Sequence, residues 1–249
     1  MDEDPYEVAL RNFDTALSSL LEHVPSPRMV MIGWHRAFRY VEQTIEQAIA
    51  LKAVRYLSGL RACRLLLQFG YVQELGSLQR VLQDAEEDVT FLANAVIRND
   101  CSDLHRRFLD AFWQEEYDFS VQPPRSVPRD QLPRKRVRAF NANLAGNDPS
   151  GAITAARTVS SMYSGYVHAA AAHTMDLYGG NPPRFHTSGM LGTPLIEDHC
   201  EDLWNQFYRG ALMFSEASKA IGLDELASDM YEFSIQFATA FGKDYKPTA

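Results

Sequence analysis

Two histidines stand in company that could do acid–base chemistry. His168 follows Tyr163-Ser164-Gly165-Tyr166-Val167 and precedes four alanines, and His105 follows Arg98-Asn99 with six residues between Arg98 and the histidine. An imidazole changes charge near neutral pH, so it suits general acid or base work and pH sensing alike. Earlier in the chain, Arg80 and Asp84 are four residues apart in a helical pattern, which puts them on one face and lets them pair. A histidine packed among alanines needs a polar partner if it is buried. Arg80 and Asp84, with Glu86 and Glu87 close by, could supply one. Such an Arg–Asp–His cluster reads two ways: as a brace that fixes how two helices dock, or as an active site with a tuned imidazole.

Other chemistries find less support. The run Arg134-Lys135-Arg136-Val137-Arg138, with Arg125 and Arg129 upstream, is the one strongly positive stretch. It could contact phosphates. Apart from Phe140 it has no interleaved aromatic on which a base could stack, and a solvated loop or a set of partners for the chain's own carboxylates is the plainer role. A carboxylate-bridged metal pair needs Glu-x-x-His on facing helices, and neither that nor His-Glu-x-x-His occurs. Glu197, Asp198, His199, Glu201 and Asp202 crowd the start of a helix, where negative charge is favourable without a metal. P-loop, dinucleotide-fold and nucleophile-elbow motifs are missing. No metal or cofactor is expected.

Arg80-Val81-Leu82-Gln83-Asp84 resembles the Arg-x-x-x-acid pattern of a group of uncharacterised bacterial all-helical proteins. Tyr163 to His168 looks like that group's second motif, roughly Tyr-x-x-hydrophobic-Ser-x-x-Val-His, although Ser164 here follows Tyr163 directly. The resemblance covers about residues 60 to 180. That group is distantly similar to the HEPN superfamily of helical bundles, which includes metal-independent ribonucleases of toxin and phage-defence systems. The resemblance implies RNA as substrate, with His168 or His105 and an arginine promoting attack of a 2′-hydroxyl on the adjacent phosphate. HEPN nucleases carry an arginine, four to six residues, then histidine. Arg98 to His105 and Arg28 to His35 have that spacing; His168 has no arginine at that distance, Arg157 being too far back. The alternative is a non-catalytic helical module that binds a protein partner or forms a homodimer, with the motif residues as a buried polar brace. A small-molecule pocket roofed by residues 179–194 is a third reading.

The elements that must position these residues are helices throughout. Asp4-Pro5 predicts a helix start, and Leu10, Phe13, Leu17, Leu20 and Leu21 follow at helical spacing until Pro25 and Pro27. A second helix is predicted from near Trp34 to Phe69, with a kink or break at Ser58-Gly59, and a third from Tyr71 to Arg98. A fourth covers about 102–118. Residues 119–133, rich in proline, and 179–194 read as long loops. A short helix passes through Phe140 and Leu144, and Gly146-Asn147-Asp148-Pro149 reads as a turn. A long helix is predicted over 149–178, then two more over about 194–221 and 224–241, with residues 244–249 as a tail. The expected fold is all-α, a single domain of about seven to eight helices with no significant sheet.

Composition supports a packed interior: 46% of the 249 residues are hydrophobic, too many for a disordered chain. The net charge of -8 argues against a protein that coats nucleic acid over its whole surface. Cys63, Cys101 and Cys200 are odd in number and widely spaced, so three buried thiols in a reducing, cytoplasmic setting are expected. The acidic start is not a secretory signal, and no stretch is apolar enough for a membrane span.

Overall fold

The computed structural model describes residues 3–144 and 149–243; the turn expected at 146–148 and the tail at 244–249 lie outside these. Nine helices and three two-stranded sheets make up the described residues, so the fold is predominantly all-α, as expected. Helix α1 (Pro5–Glu22) starts where the sequence says: Asp4 caps it by accepting a 2.9 Å hydrogen bond from the Tyr6 amide, and Pro5 opens the first turn. Helix α2 (Ile45–Gln68) begins with a reciprocal capping box in which Thr44 and Gln47 exchange side-chain and backbone bonds of 3.2 and 3.0 Å. It runs unbroken through Ser58-Gly59. Gly59 there makes room rather than a kink, since a Cβ at this position would run into Leu82 of α3 (Val72–Ile97).

Residues 28–39 depart from expectation. They form an antiparallel hairpin, β1 (Arg28–Ile32) and β2 (His35–Arg39), in register Met29↔Phe38 and Met31↔Arg36. The two-residue turn places Gly33 at φ +59°, the first central position that type II′ turns give to glycine. Gly33 also lies against the backbone carbonyl of Phe119, too close for any side chain. Val30, Ile32, His35 and Ala37 face inward and are half-buried, while Met29, Met31, Phe38 and the flanking Val41 are exposed.

Helix α4 (Asp103–Trp113) precedes the proline-rich segment, which carries a short ladder of β3 (Tyr117–Asp118) and β4 (Arg125–Ser126). Helices α5 (Arg134–Leu144) and α6 (Pro149–Val167) follow. The single helix expected over 149–178 is two: α6 stops at Val167 and α7 covers Ala171–Met175. Ala169 turns left-handed at φ +48°, with the Ala170 amide donating to the Gly165 carbonyl and the Ala169 amide to Tyr166. That is the Schellman arrangement. The same pairing ends α3 at Asn99 and α2 at Gly70, residues that tolerate positive φ; alanine does so at a cost of about 1 kcal/mol. Ala169→Gly is therefore expected to raise stability by about 0.5–1 kcal/mol in urea unfolding. A loss of stability instead would mean that the helix does not end here.

After β5 (Tyr178–Gly179) and β6 (Arg184–Phe185) the loop returns to the bundle, where Met190 is buried and its amide donates to the Gly70 carbonyl at 2.8 Å. Helix α8 (Leu195–Ala220) is central: it packs on α1, α2, α3 and α9 (Asp224–Ala240). One core cluster joins these helices through Phe13, Tyr56, Leu75, Leu82, Phe207 and Phe214. The far flank of α3 carries α5 and α6. No helix among the described residues is long and apolar enough to cross a membrane.

Candidate functional site

Helix α3 carries two polar rows on neighbouring faces. Gln79, Gln83, Glu86 and Thr90, spaced four, three and four, form the first; Arg80, Asp84, Glu87 and Asp88 form the second. Helix α8 has a row on one face in Asp202, Gln206, Arg209 and Glu216, spaced four, three and seven. The first row meets the α8 row inside the bundle. Arg209 reaches Glu86 with both Nε, at 3.1 Å, and Nη2, and the Thr90 hydroxyl donates to Glu216 at 2.6 Å. The Tyr56 hydroxyl donates to the Gln206 carbonyl at 2.7 Å. Gln79 is fully buried, and neither of its amide atoms is bonded among the described residues.

Low polarity around these groups shifts their proton affinities. Burial pushes the Glu216 carboxyl up to about 6, against the opposing hydroxyl of Thr90. Burial also raises Glu86, with Arg209 pulling the other way. Asp202 rises to about 6 through burial and the nearby Asp198, offset by its bond to the Tyr163 hydroxyl.

The second row binds α5. Arg134 reaches Glu87 at 2.5 Å, Asp84 at 3.1 Å and Asp88; Arg138 reaches Glu87 at 2.9 Å and the Ser160 hydroxyl of α6 at 2.9 Å. Lys52 of α2 closes the group on Asp88 at 2.7 Å. Burial pulls the Arg134 guanidinium down, but the carboxylates of Asp88, Asp84 and Glu87 outweigh it and hold it above its usual value. The Asn141 amide donates to the Glu87 carbonyl at 2.9 Å. The result is a charged lattice that ties α2, α3, α5 and α6 together.

Two clefts flank this lattice. The first, of about 370 Å³, is lined by Gln83, Glu86, Thr90, Arg138, Asn141 and Arg209 together with small residues of α5 and α6. The second, of about 410 Å³, lies around Lys52, Asp88, Phe112, Arg129 and Arg134, with the Lys52 ammonium 5.0 Å from the centre of the Phe112 ring.

The residues singled out from sequence fall in different places. Arg80 and Asp84 do pair, at the edge of the lattice. Tyr163 is buried beside Asp202 and Gln206, and burial raises its hydroxyl. His168 does not join them: it lies one residue past the end of α6 and is exposed, because the helix stops before the alanines. His105 is fully buried, but as a cap. Its Nδ1 accepts from the Ser102 amide at 3.1 Å, its ring stacks on Phe91 at 4.1 Å, and burial lowers its pKa. Arg98 is exposed at the end of α3, so the pair expected from spacing is split between surface and core. Arg28 and His35 are set on opposite strands of the hairpin, where Arg28 faces Arg39 and His35 faces Ile32.

The basic run divides too. Arg134 and Arg138 turn inward to the chain's own carboxylates, and Lys135 and Arg136 remain exposed and open to a phosphate. Of the three thiols only Cys63 is buried; Cys101 and Cys200 are exposed, because each sits at or near a helix start on the solvent side. No group of three or more metal-ligating side chains occurs among the described residues.

Sequence reasoning missed the α8 row and most of the first α3 row. Their signal was present as polar residues at helical spacing, four-three-four in α3 and four-three-seven in α8, in two helices otherwise read for apolar stripes. Comparison of the chain with protein-family models, with curated proteins and with solved structures found no match.

Proposed function

We propose that this chain is a non-catalytic helical interaction module that offers its β1–β2 hairpin to an acidic polypeptide partner. The carrying observation is the hairpin's outer face. Met31 is 61% and Phe38 64% exposed, beside Met29, Trp34 and Val41, which are also exposed. Clustered apolar exposure of this kind marks an interaction surface. Both outer edges of the two-stranded sheet lack a further strand among the described residues, so they can accept one.

Charge favours an acidic occupant. Residues 28–41 hold Arg28, Arg36 and Arg39 and no carboxylate, in a chain of net charge -8. Arg28 and Arg39 are tied to Glu42 and Glu115, while Arg36 is exposed among the apolar side chains and in no ion pair with another described residue. The charged lattice serves this reading as a brace. Ribonuclease chemistry of the HEPN kind draws on an imidazole and a guanidinium in one cleft, and here His168 is on the surface while Arg80 is occupied by Asp84.

A photocrosslinker at position 31, used in the cells that make the protein, identifies the partner, which is then purified and titrated calorimetrically. Phe38→Asp and Arg36→Glu are each expected to weaken binding at least tenfold with no change in melting temperature. Binding untouched by both variants rejects the proposal, as do crosslinks confined to lipid or RNA or to a second copy of this chain. RNA cleavage in EDTA that His168→Ala abolishes would install the ribonuclease reading instead.

A further inference from the structure

Helix α8 carries two carboxyl groups into the bundle with no cation paired to them, a feature independent of the hairpin. Glu216 is half-buried against α3, where the Thr90 hydroxyl meets it at 2.6 Å. Asp202 is half-buried beside α6, where the Tyr163 hydroxyl bonds it. The guanidinium of the same row, Arg209, is spent on Glu86 through Nε and Nη2. Neither Glu216 nor Asp202 forms an ion pair with another described residue.

The remaining charges around the seam are matched elsewhere or carry the same sign. On α3, Glu86 sets a like charge towards Glu216, and Glu87 is held by Arg134 and Arg138. On α8 itself, Asp198 and Glu201 set like charge towards Asp202, with Glu201 held by Lys243. Lys219, three residues past Glu216, is exposed and in no ion pair with a described residue. From α9, Asp224 and Glu232 share a groove with Lys219 and Ser215. From α1 and α2, Tyr6, Phe13 and Tyr56 meet α8. The charges of those two helices pair with each other, Arg61 with Asp14 and Arg64 with Asp4 and Glu7. Burial, with like charge nearby, therefore raises Glu216 from its ordinary 4.5 to about 6 and Asp202 from 3.8 to about 6.

We propose that the inner face of α8 is a proton-operated joint: Glu216 and Asp202 each bind a proton in mildly acidic solution, and releasing it loosens α8 from α3 and from α6. The sign follows from linkage. The folded chain holds these protons more tightly than the unfolded chain does, so the stability they contribute is complete below about pH 4 and is lost as the pH rises to about 6. Carboxylates in surface ion pairs act the other way. Glu115 and Asp130 are held below their usual range by Arg39 and Arg107, and their contribution fails at low pH. Asp202 and Glu216 are fourteen residues apart, about 21 Å along a helix, so each titrates separately.

Urea unfolding of the full chain from about pH 4 to about pH 8 tests this, with Glu216→Gln and Asp202→Asn as mimics of the neutral acids. Each variant's folding constant relative to the wild type should grow at least tenfold as the pH rises, and the two gains should multiply in the double variant. Carboxylates elsewhere titrate alike in all four proteins and cancel. A variant that only disturbs packing shifts stability equally at every pH. Carbon-13 NMR of the wild-type carboxyl groups reads the protons directly, whether or not a variant folds, and midpoints near 6 are expected. Amides around Thr90 and Glu216, corrected for intrinsic exchange, should lose protection over the same rise in the wild type and keep it in Glu216→Gln. A ratio of folding constants that is flat with pH, carboxyl midpoints in the ordinary range, or protection that does not change overturns the proposal.

Discussion

Glu87→Ala is expected to lower the unfolding free energy by about 3 kcal/mol or more, a drop of about 10 °C in melting temperature for a chain of this length. Glu87 is 7% exposed and receives both Arg134 and Arg138, at 2.5 and 2.9 Å. Removing it leaves Lys52, Arg80, Arg134 and Arg138 facing only Asp84 and Asp88, with two positive charges in excess in a half-buried place. Stranding a buried charge costs about 3–5 kcal/mol, whereas removing both partners of a pair costs far less. The double variant Glu87→Leu with Arg138→Met should accordingly be more stable than Glu87→Ala alone. Hydrogen exchange locates the effect: amides of α5 and α6 should lose protection before those of α2. Uniform loss of protection, or a double variant less stable than the single one, would show that the lattice is not what fastens α5 and α6.

The second large effect is expected in the core between α1, α8 and α9. Phe13 has no exposed surface, and its ring lies 5.2 Å from that of Phe214 and 6.1 Å from those of Phe207 and Phe233. One side chain of α1 thereby fills the space between α8 and α9. Phe13→Ala removes those contacts and leaves a cavity, at a cost of about 3–5 kcal/mol. The measurement is a urea midpoint followed by circular dichroism, with the slope unchanged if the transition stays cooperative. A loss under about 1 kcal/mol would make α1 an appendage rather than part of the core.

How much of this was legible depends on the element. Asp4-Pro5 announces α1 because a cap and a ring act locally, and the helical stripes of α1, α3, α8 and α9 follow from apolar spacing alone. The hairpin was missed because both of its faces are apolar. Met29, Met31 and Phe38 point outward while Val30 and Ile32 point inward, so no alternation of polar and apolar residues betrays a strand. Phe38 and Val41 then completed a false helical stripe with Ile45. The turn at Gly33-Trp34 was the one local sign.

The stop at Val167 was hidden for a different reason. Four alanines favour a helix, and the break depends on α7 folding back so that the His173 ring lies over Gly165, where a Cβ would clash. Tertiary contact decides there against local preference. The candidate site shows the same division. The Arg80–Asp84 pair is four residues long and was readable. The lattice around Glu87 joins residues of α2, α3, α5 and α6, and no spacing in the chain relates them. His168 was expected inside because its neighbours are small, yet the early helix stop leaves it on the surface.

The position of α8 has a consequence for biosynthesis. This helix packs on α1, α2, α3 and α9, yet it is made only after α1, α2 and α3. Until the ribosome has passed residue 220, the sides of α1, α2 and α3 that pack on α8 lack that neighbour and remain open to solvent or to chaperones. Assembly must then join segments far apart in the chain, which slows it and prolongs exposure to aggregation. Chains cut short before Leu195 should consequently accumulate in inclusion bodies rather than as smaller folded units.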